Sequence, residues 1–428
     1  MNIKKEGEFF SGQLLEEIRD KFYYVDSDPY NGKRIYFENA GGSLRLKSVV
    51  ELVNKYTPLP DSPNRPSLAA KPLKEMIVKG MEDIKLLLGA KSGQIVSSET
   101  ASRVIFLIIG AIIENIPGTN VVTTFSEHPS SYDACVIYSK KTGKELKIAN
   151  MNPINGGVDP EEILSKIDKN TCLLSFILSS NITGKVLNAK KIIQEARKIN
   201  PDLFIFMDAT QHVAHAPIDV VDVEELGVDG VAFTPYKMFG KRGIGMGWIS
   251  DRVAVLPHER VLEKSINDWG SGSVEPVGFG AFSMAIDYIC WLGKHFTDAT
   301  DRRALILSGM GNIELHERAL LERALNGTDN IFGLRRISGV KIHFIPEDED
   351  LSTRDCLLPI TIEGKSTSKA VQEYLKNGIV VYDRVRTNPM SRRPLDNMGV
   401  KEIIRVTPLH CNSKEEIDEF LRATINIF

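Results

Sequence analysis

Between residues 94 and 249, short unbroken apolar runs alternate with longer amphipathic stretches. No other feature restricts the chain so strongly, because a continuous apolar strand needs cover on both of its faces. Residues 120–124, 171–179, 203–207, 230–233 and 245–249 read as strands. Residues 160–168 and 189–198 read as helices between them. The pattern predicts the α/β class, with a mostly parallel mixed sheet flanked by helices. From residue 294 the pattern changes to a helix near 302–325, strand-like runs at 340–344, 357–362 and 403–406, and a last helix at 413–423. A chain of 428 residues is too long for one small core. The expectation is a large domain over 20–293 and a smaller α+β domain over 294–428, with residues 1–19 packing on the latter.

Composition excludes several classes. A net charge of −3 provides no clustered basic surface, so no nucleic-acid partner is expected. The longest apolar run, 104–113, ends at Glu114 and is too short to span a bilayer, so no membrane is expected either. Residues 1–8 are polar with no apolar run behind them, and no secretory signal is expected. The five cysteines are scattered without a CxxC pair, which argues against zinc and a disulfide framework and fits a reducing cytoplasm.

Ligands of parallel α/β sheets bind beyond the carboxyl ends of the strands. Four polar clusters stand there: Glu127–His128, Ser180–Asn181, Asp208 to Gln211, and Thr234 to Lys237. Lys237 is followed by glycines, which suits an amine that forms a Schiff base with a flat cofactor; it also reads as a solvated surface lysine, and Lys241 competes. Asp208 follows a buried run, where a carboxylate needs a partner such as a pyridinium nitrogen, or else caps a helix. Gln211 reaches toward a ring hydroxyl or closes a capping box. His128 stacks on a flat ring or lies in a surface loop, and Asn181 donates to a ring hydroxyl or forms a turn. Thr100 to Ser102 precede an apolar helix whose free N–H groups suit a phosphate, although Glu99 counts against an anion there. Arg405, inside an apolar run, wants an anion: a substrate carboxylate or an internal salt bridge.

Seven motifs then fall in one order. Tyr36-Phe-Glu-Asn-Ala-Gly-Gly-Ser is similar to a "YLDNAAGS" signature, Glu127-His128 to an "EH" pair, and Ser180-Asn-Ile-Thr-Gly to "SNxxG". Asp208-Ala-Thr-Gln with His215-Ala-Pro-Ile-Asp-Val is similar to "DGAQ…HxPxDV", and Thr234-Pro-Tyr-Lys with Gly240 to the lysine motif. Gly272-Ser273 stands where Gly-Thr is common, and the segment from Arg405 to Glu416 is similar to "RxSxxHYNTxEE". The chain resembles the class V aminotransferases of pyridoxal-phosphate (PLP) fold type I, and within them the cysteine desulfurase-like group.

The resemblance implies PLP as cofactor, with Lys237 as the Schiff-base lysine, His128 over the ring and Asp208 on the ring nitrogen. It implies Gln211 and Asn181 near the ring hydroxyl, and Thr100, Ala101, Thr234 and Tyr236 around the phosphate. It implies a homodimer in which Ser273 reaches the phosphate of the neighbouring subunit. Arg405 would clamp the carboxylate of a small amino acid, bordered by Asn39, Ala40 and Gly41. The chemistry implied is carbon–sulfur lysis through an external aldimine, with transamination or epimerisation, or a non-catalytic binding subunit, as alternatives. One departure matters: residues 383–395, where desulfurases carry a sulfur-accepting cysteine, have none. They hold Arg384, Arg386, Arg392 and Arg393, which read as a solvated cluster or, through Arg386, as contacts to an acidic substrate.

Overall fold

A computed structural model describes residues 6–218, 227–270 and 272–428. Asp219 and Val220 of the histidine motif lie outside the described residues. Seven strands form the large sheet: β1 (Gln94–Ser98), β2 (Asn120–Thr124), β3 (Glu145–Ala149), β4 (Thr171–Ile177), β5 (Phe204–Asp208), β6 (Gly230–Phe233) and β7 (Gly245–Ile249). Their order is β1-β7-β6-β5-β4-β2-β3. Only β7 runs against its neighbours, so the sheet is mostly parallel and mixed, as its runs predict. Every residue of β2, β4, β5, β6 and β7 is buried, which is why those runs are unbroken. The edge strands β1 and β3 are half-buried and carry a weaker apolar signal.

Seven helices matter to the site and its frame: α1 (Gly12–Asp20), α2 (Ala101–Asn115), α3 (Pro129–Thr142), α4 (Ala189–Ile199), α5 (Pro276–Gly293), α6 (Arg302–Asn326) and α7 (Pro389–Asn397). Thr100 starts α2 by accepting from the Arg103 N–H, and His128 starts α3 by accepting from the Ser130 N–H. The helix expected over 160–168 stops at Leu164. Asp168 turns away to bind Asn120 and Lys147, which takes the chain off the helical path.

A second, antiparallel sheet contains β8 (Val340–Ile342), β9 (Leu358–Ile362), β10 (Tyr382–Val385) and β11 (Glu402–Val406), in the order β8-β9-β11-β10. Its core includes Leu358, Ile360, Ile404, Tyr374 and Phe420, joined by Ile35 and Phe37 from the amino-terminal part of the chain. Ile35–Tyr36 pairs in parallel with Ile379–Val380, and this pairing brings residues 38–42 beside β11. Near the start of the described residues the chain reaches α6: the Phe10 N–H donates to Nδ1 of His316 at 3.0 Å, and the two rings stack at 4.4 Å. Leu14 and Ile18 of α1 then enter the core of the large sheet. Among the described residues no helix is long and apolar enough to cross a membrane.

Candidate active site

Because β1, β2, β4, β5 and β6 point the same way, the residues after them share one edge of the sheet, and β7 starts there. A cavity of about 300 Å³ opens on that edge. Its walls include Thr100, Ala101, His128, Asn181, Asp208, Gln211, Thr234, Tyr236 and Lys237, so the structure brings together nine of the residues singled out in the sequence.

Lys237 ends a single 3-10 turn, Pro235–Lys237, that follows β6. Its amine donates to Oε1 of Gln211 at 3.0 Å. Burial, reinforced by the nearby Arg405 and Arg384 guanidiniums, pushes this amine down to about 7 against the opposing pull of Asp208 and Glu38. A large share of it is therefore uncharged and nucleophilic at neutral pH. Asp208 is the last residue of β5 and is 1% exposed. One carboxylate oxygen accepts from the Thr210 N–H at 2.9 Å and the other from the Ser131 hydroxyl at 3.2 Å. Among the described residues no cation pairs directly with it, so a buried carboxylate faces the cavity held by hydrogen bonds alone.

Nδ1 of His128 accepts from the Ser130 N–H at 3.2 Å and lies 2.7 Å from the Ser130 hydroxyl. The cap therefore fixes the ring and assigns the proton of the neutral imidazole to Nε2. Burial lowers the His128 pKa, partly offset by Asp208. Behind it, Glu127 ties β2 to β4 by accepting from Thr124 Oγ1 at 2.7 Å and from the Ile177 N–H at 2.8 Å. Burial pushes the Glu127 carboxyl up to about 8.

Gln211 is oriented from behind. Its Nε2 lies 3.1 Å from Nε2 of His215, whose Nδ1 lies 2.7 Å from the Glu317 carboxylate on α6. A carboxylate at Nδ1 puts the imidazole proton there and leaves Nε2 to accept, so the Gln211 carbonyl faces Lys237. Glu317 also accepts from the His410 N–H at 3.0 Å. His215 lies in a sequence motif, but its partner 102 residues away has no local signal.

At the other end of the cavity, the first turn of α2 has backbone N–H groups with no helical acceptor. A Cβ on Gly245 would stand 2.0 Å from the Ala101 nitrogen, so only glycine lets β7 pass that helix start. Glu99 also lines this end, and its carboxylate takes the Ser98 hydroxyl.

Several residues singled out in the sequence are not on the cavity wall. Arg405 is completely buried behind Asn181; it donates to the Asn181 carbonyl at 2.8 Å and to Glu38 at 2.5 Å. Asn39 and Ala40 are held against Thr407, and the Gly41 carbonyl takes Arg242. Arg386 pairs with Asp396 at 2.7 Å, away from the cavity, while Arg384 of the same loop leans on Glu38 at 3.4 Å. Arg392 also approaches Asp396, and Arg393 pairs with Asp133 over the Tyr132 ring. Ser273 is exposed on a neighbouring cleft that shares Glu99, Gly243 and Ile244 with the cavity. All five cysteines are buried, and none lines the cavity. Arg242, Thr210 and the Glu38 carboxylate belong to this neighbourhood without having been singled out in the sequence.

The chain is similar to known proteins along nearly its whole length. A cysteine desulfurase from Wigglesworthia glossinidia brevipalpis is 23% identical over 440 residues, covering 96% of this chain and 97% of the relative. A probable cysteine desulfurase from Borreliella burgdorferi is 24% identical, with 96% and 95% covered. Among solved structures, the apo cysteine desulfurase from Thermococcus onnurineus NA1 superposes with a TM-score of 0.80 at 19% identity, over 96% of this chain and 97% of that one. The cysteine desulfurase CsdA from Escherichia coli superposes with a TM-score of 0.77 at 19% identity, over 98% and 99%. These structures share the fold, PLP fold type I. The family model of class-V aminotransferases matches residues 35–305, and the chain belongs to that family.

Proposed function

We propose that this chain is a PLP-dependent enzyme that carries its cofactor on Lys237 and cleaves the carbon–sulfur bond of a small amino acid, the bond that the names of its cysteine desulfurase relatives point to, but releases the sulfur as sulfide. The observation that carries the reading is Lys237 itself: a buried amine at about 7, in one cavity with a buried carboxylate, an imidazole and an open helix start. Those four groups match the aldehyde, ring nitrogen, ring face and phosphate of the cofactor. When bound, PLP supplies an electron-accepting ring that stabilises negative charge on the substrate α-carbon.

The protein's own groups do the rest. Asp208 would hold a proton on the ring nitrogen, and the two hydrogen bonds it accepts keep its carboxylate in place. His128, fixed by its cap, would cover the ring face and exclude water from it. Gln211 and Asn181, both on the cavity wall, would face the ring hydroxyl, and Thr100, Ala101, Thr234 and Tyr236 would surround the phosphate. Lys237, once released, is the group placed to take the α-proton. With no cysteine on the cavity wall, the sulfur leaves as sulfide: cysteine plus water yields pyruvate, ammonia and hydrogen sulfide. The enzyme works as a homodimer in which Ser273 completes the phosphate site of its neighbour.

An absorbance spectrum tests the reading. The purified protein should show a band near the violet edge of the visible range, lost in Lys237→Ala, and L-cysteine should shift it and release sulfide. A band that cysteine leaves unchanged moves the assignment to transamination or epimerisation of another amino acid. No band after addition of PLP overturns it.

A further inference from the structure

Beside Lys237, two guanidiniums share one oxygen of one carboxylate. Oε1 of Glu38 accepts from Nη2 of Arg405 at 2.5 Å and from Nη2 of Arg384 at 3.4 Å. Three further buried atoms of this group, Glu38 Oε2, Arg405 Nε and Arg384 Nε, have no hydrogen-bond partner among the described residues. In arginine the Nε and Nη2 donors point the same way and form the edge that grips a carboxylate with two parallel bonds. Here each of two such edges is half filled, and a single carboxylate serves both.

The arrangement is built for a longer side chain. A Cβ on residue 41 would stand 2.5 Å from Glu38 Oε1, so glycine at 41 leaves the Glu38 carboxylate room to lie between the arginines without shifting. In the signature that Tyr36 to Ser43 resembles, the corresponding positions hold aspartate and alanine, so the chain departs from it at both of these touching positions. The neighbouring charges are committed elsewhere: Asp208 to Thr210 and Ser131, Asp383 to Thr367, and Arg242 to the Gly41 carbonyl.

We propose that Glu38 is a movable internal carboxylate that makes this site select amino acids with a single acidic group. The proposal rests on the PLP reading above. When substrate arrives, its carboxylate fills the Nε and Nη2 edge of Arg405, and Glu38 moves wholly onto Arg384. Two guanidiniums then face two carboxylates, and all three orphaned atoms gain partners. A second acidic group on the substrate brings a third carboxylate to a pair of guanidiniums already matched by two, and repulsion in a buried site is costly. The arginine-rich loop therefore does not recruit acidic substrates; its one inward residue, Arg384, is the resting place for Glu38. Glu38 and Arg384 are positioning residues that act through Arg405.

The test is a titration of the PLP-loaded protein with L-alanine and with L-aspartate, reading dissociation constants from the shift in cofactor absorbance. The wild type should bind alanine more tightly by about tenfold or more, a discrimination of about 1.4 kcal/mol. Glu38→Gln removes one negative charge and should erase or invert that ratio. Arg384→Gln leaves Glu38 no alternative partner, so it should weaken alanine binding by about tenfold. Wild type that binds both amino acids equally overturns the proposal, even if neither variant folds. An unchanged ratio in a folded Glu38→Gln, with a normal melting curve, overturns it as well. A cofactor band with the wrong ratios sinks only this inference, whereas no band sinks the PLP reading along with it.

Discussion

A lysine amine held near 7 is a cost to the protein that carries it. The ordinary lysine value is 10.5, and burial together with Arg405 lowers it to about 7 at Lys237. Between those values the unfolded chain binds a proton that the folded chain does not, so stability falls as pH drops through this window. The full penalty applies below about 7 and vanishes above 10.5. Lys237→Met in the cofactor-free protein should therefore stabilise it, on the order of 3 kcal/mol at pH 7 and close to nothing at pH 10.5. Denaturant titrations at the two pH values check this, and a gain that grows with pH would contradict it. Lys237, Asp208, His128 and Asn181 were readable in sequence because each directly follows an apolar run at the ligand edge of the sheet. The partner of Arg405 was not: Glu38 is 367 residues away and reaches it through a parallel strand pair. Among four clustered arginines, sequence order likewise could not tell that Arg384 turns inward while Arg386 pairs with Asp396.

At the level of elements, burial decided what could be read. The fully buried strands matched their runs within two residues, whereas β1 and β3 at the edges lacked an unbroken signal. The helices α4 and α6 matched their expected spans to within one residue. The crossing of α5 and α6 had no signal beyond two glycines. A Cβ on Gly293 would lie 2.2 Å from the Leu305 carbonyl oxygen, and one on Gly309 would lie 2.3 Å from that of Ile289. Backbone meets backbone at both points, so neither neighbour can rotate away. Gly309→Ala should cost about 1–3 kcal/mol despite its better helix propensity. The melting temperature should drop accordingly; an alanine that stabilises would show that the two helices separate freely. Since α6 carries Glu317, the same variant should also disturb Gln211 and raise the dissociation constant for PLP.

At the scale of the molecule, the apolar side chains of the described residues gather in three clusters that do not follow the order of the chain. Ile35 and Phe37 belong with residues beyond 320, while Leu395 and Leu409 join the core of the large sheet. A boundary drawn along the sequence cannot express such exchanges, because they depend on strand pairs formed across more than 300 residues. The five buried cysteines are distributed over those same clusters: Cys290 and Cys411 in the first, Cys356 in the second, Cys135 and Cys172 in the third. Burial also pushes the Cys135 thiol up to about 12, so little reactive thiolate exists in the native state. Mass-resolved labelling with a thiol-specific alkylating reagent should leave the native protein unmodified at first, then modify each cysteine at the rate at which its own cluster opens. Simultaneous labelling of all five would mean that the molecule opens as one cooperative unit, and early labelling of Cys356 alone would mean that the second sheet breathes independently. The chain thus carries a built-in set of clocks, one or two for each part of its interior, and they need no engineered probe to be read.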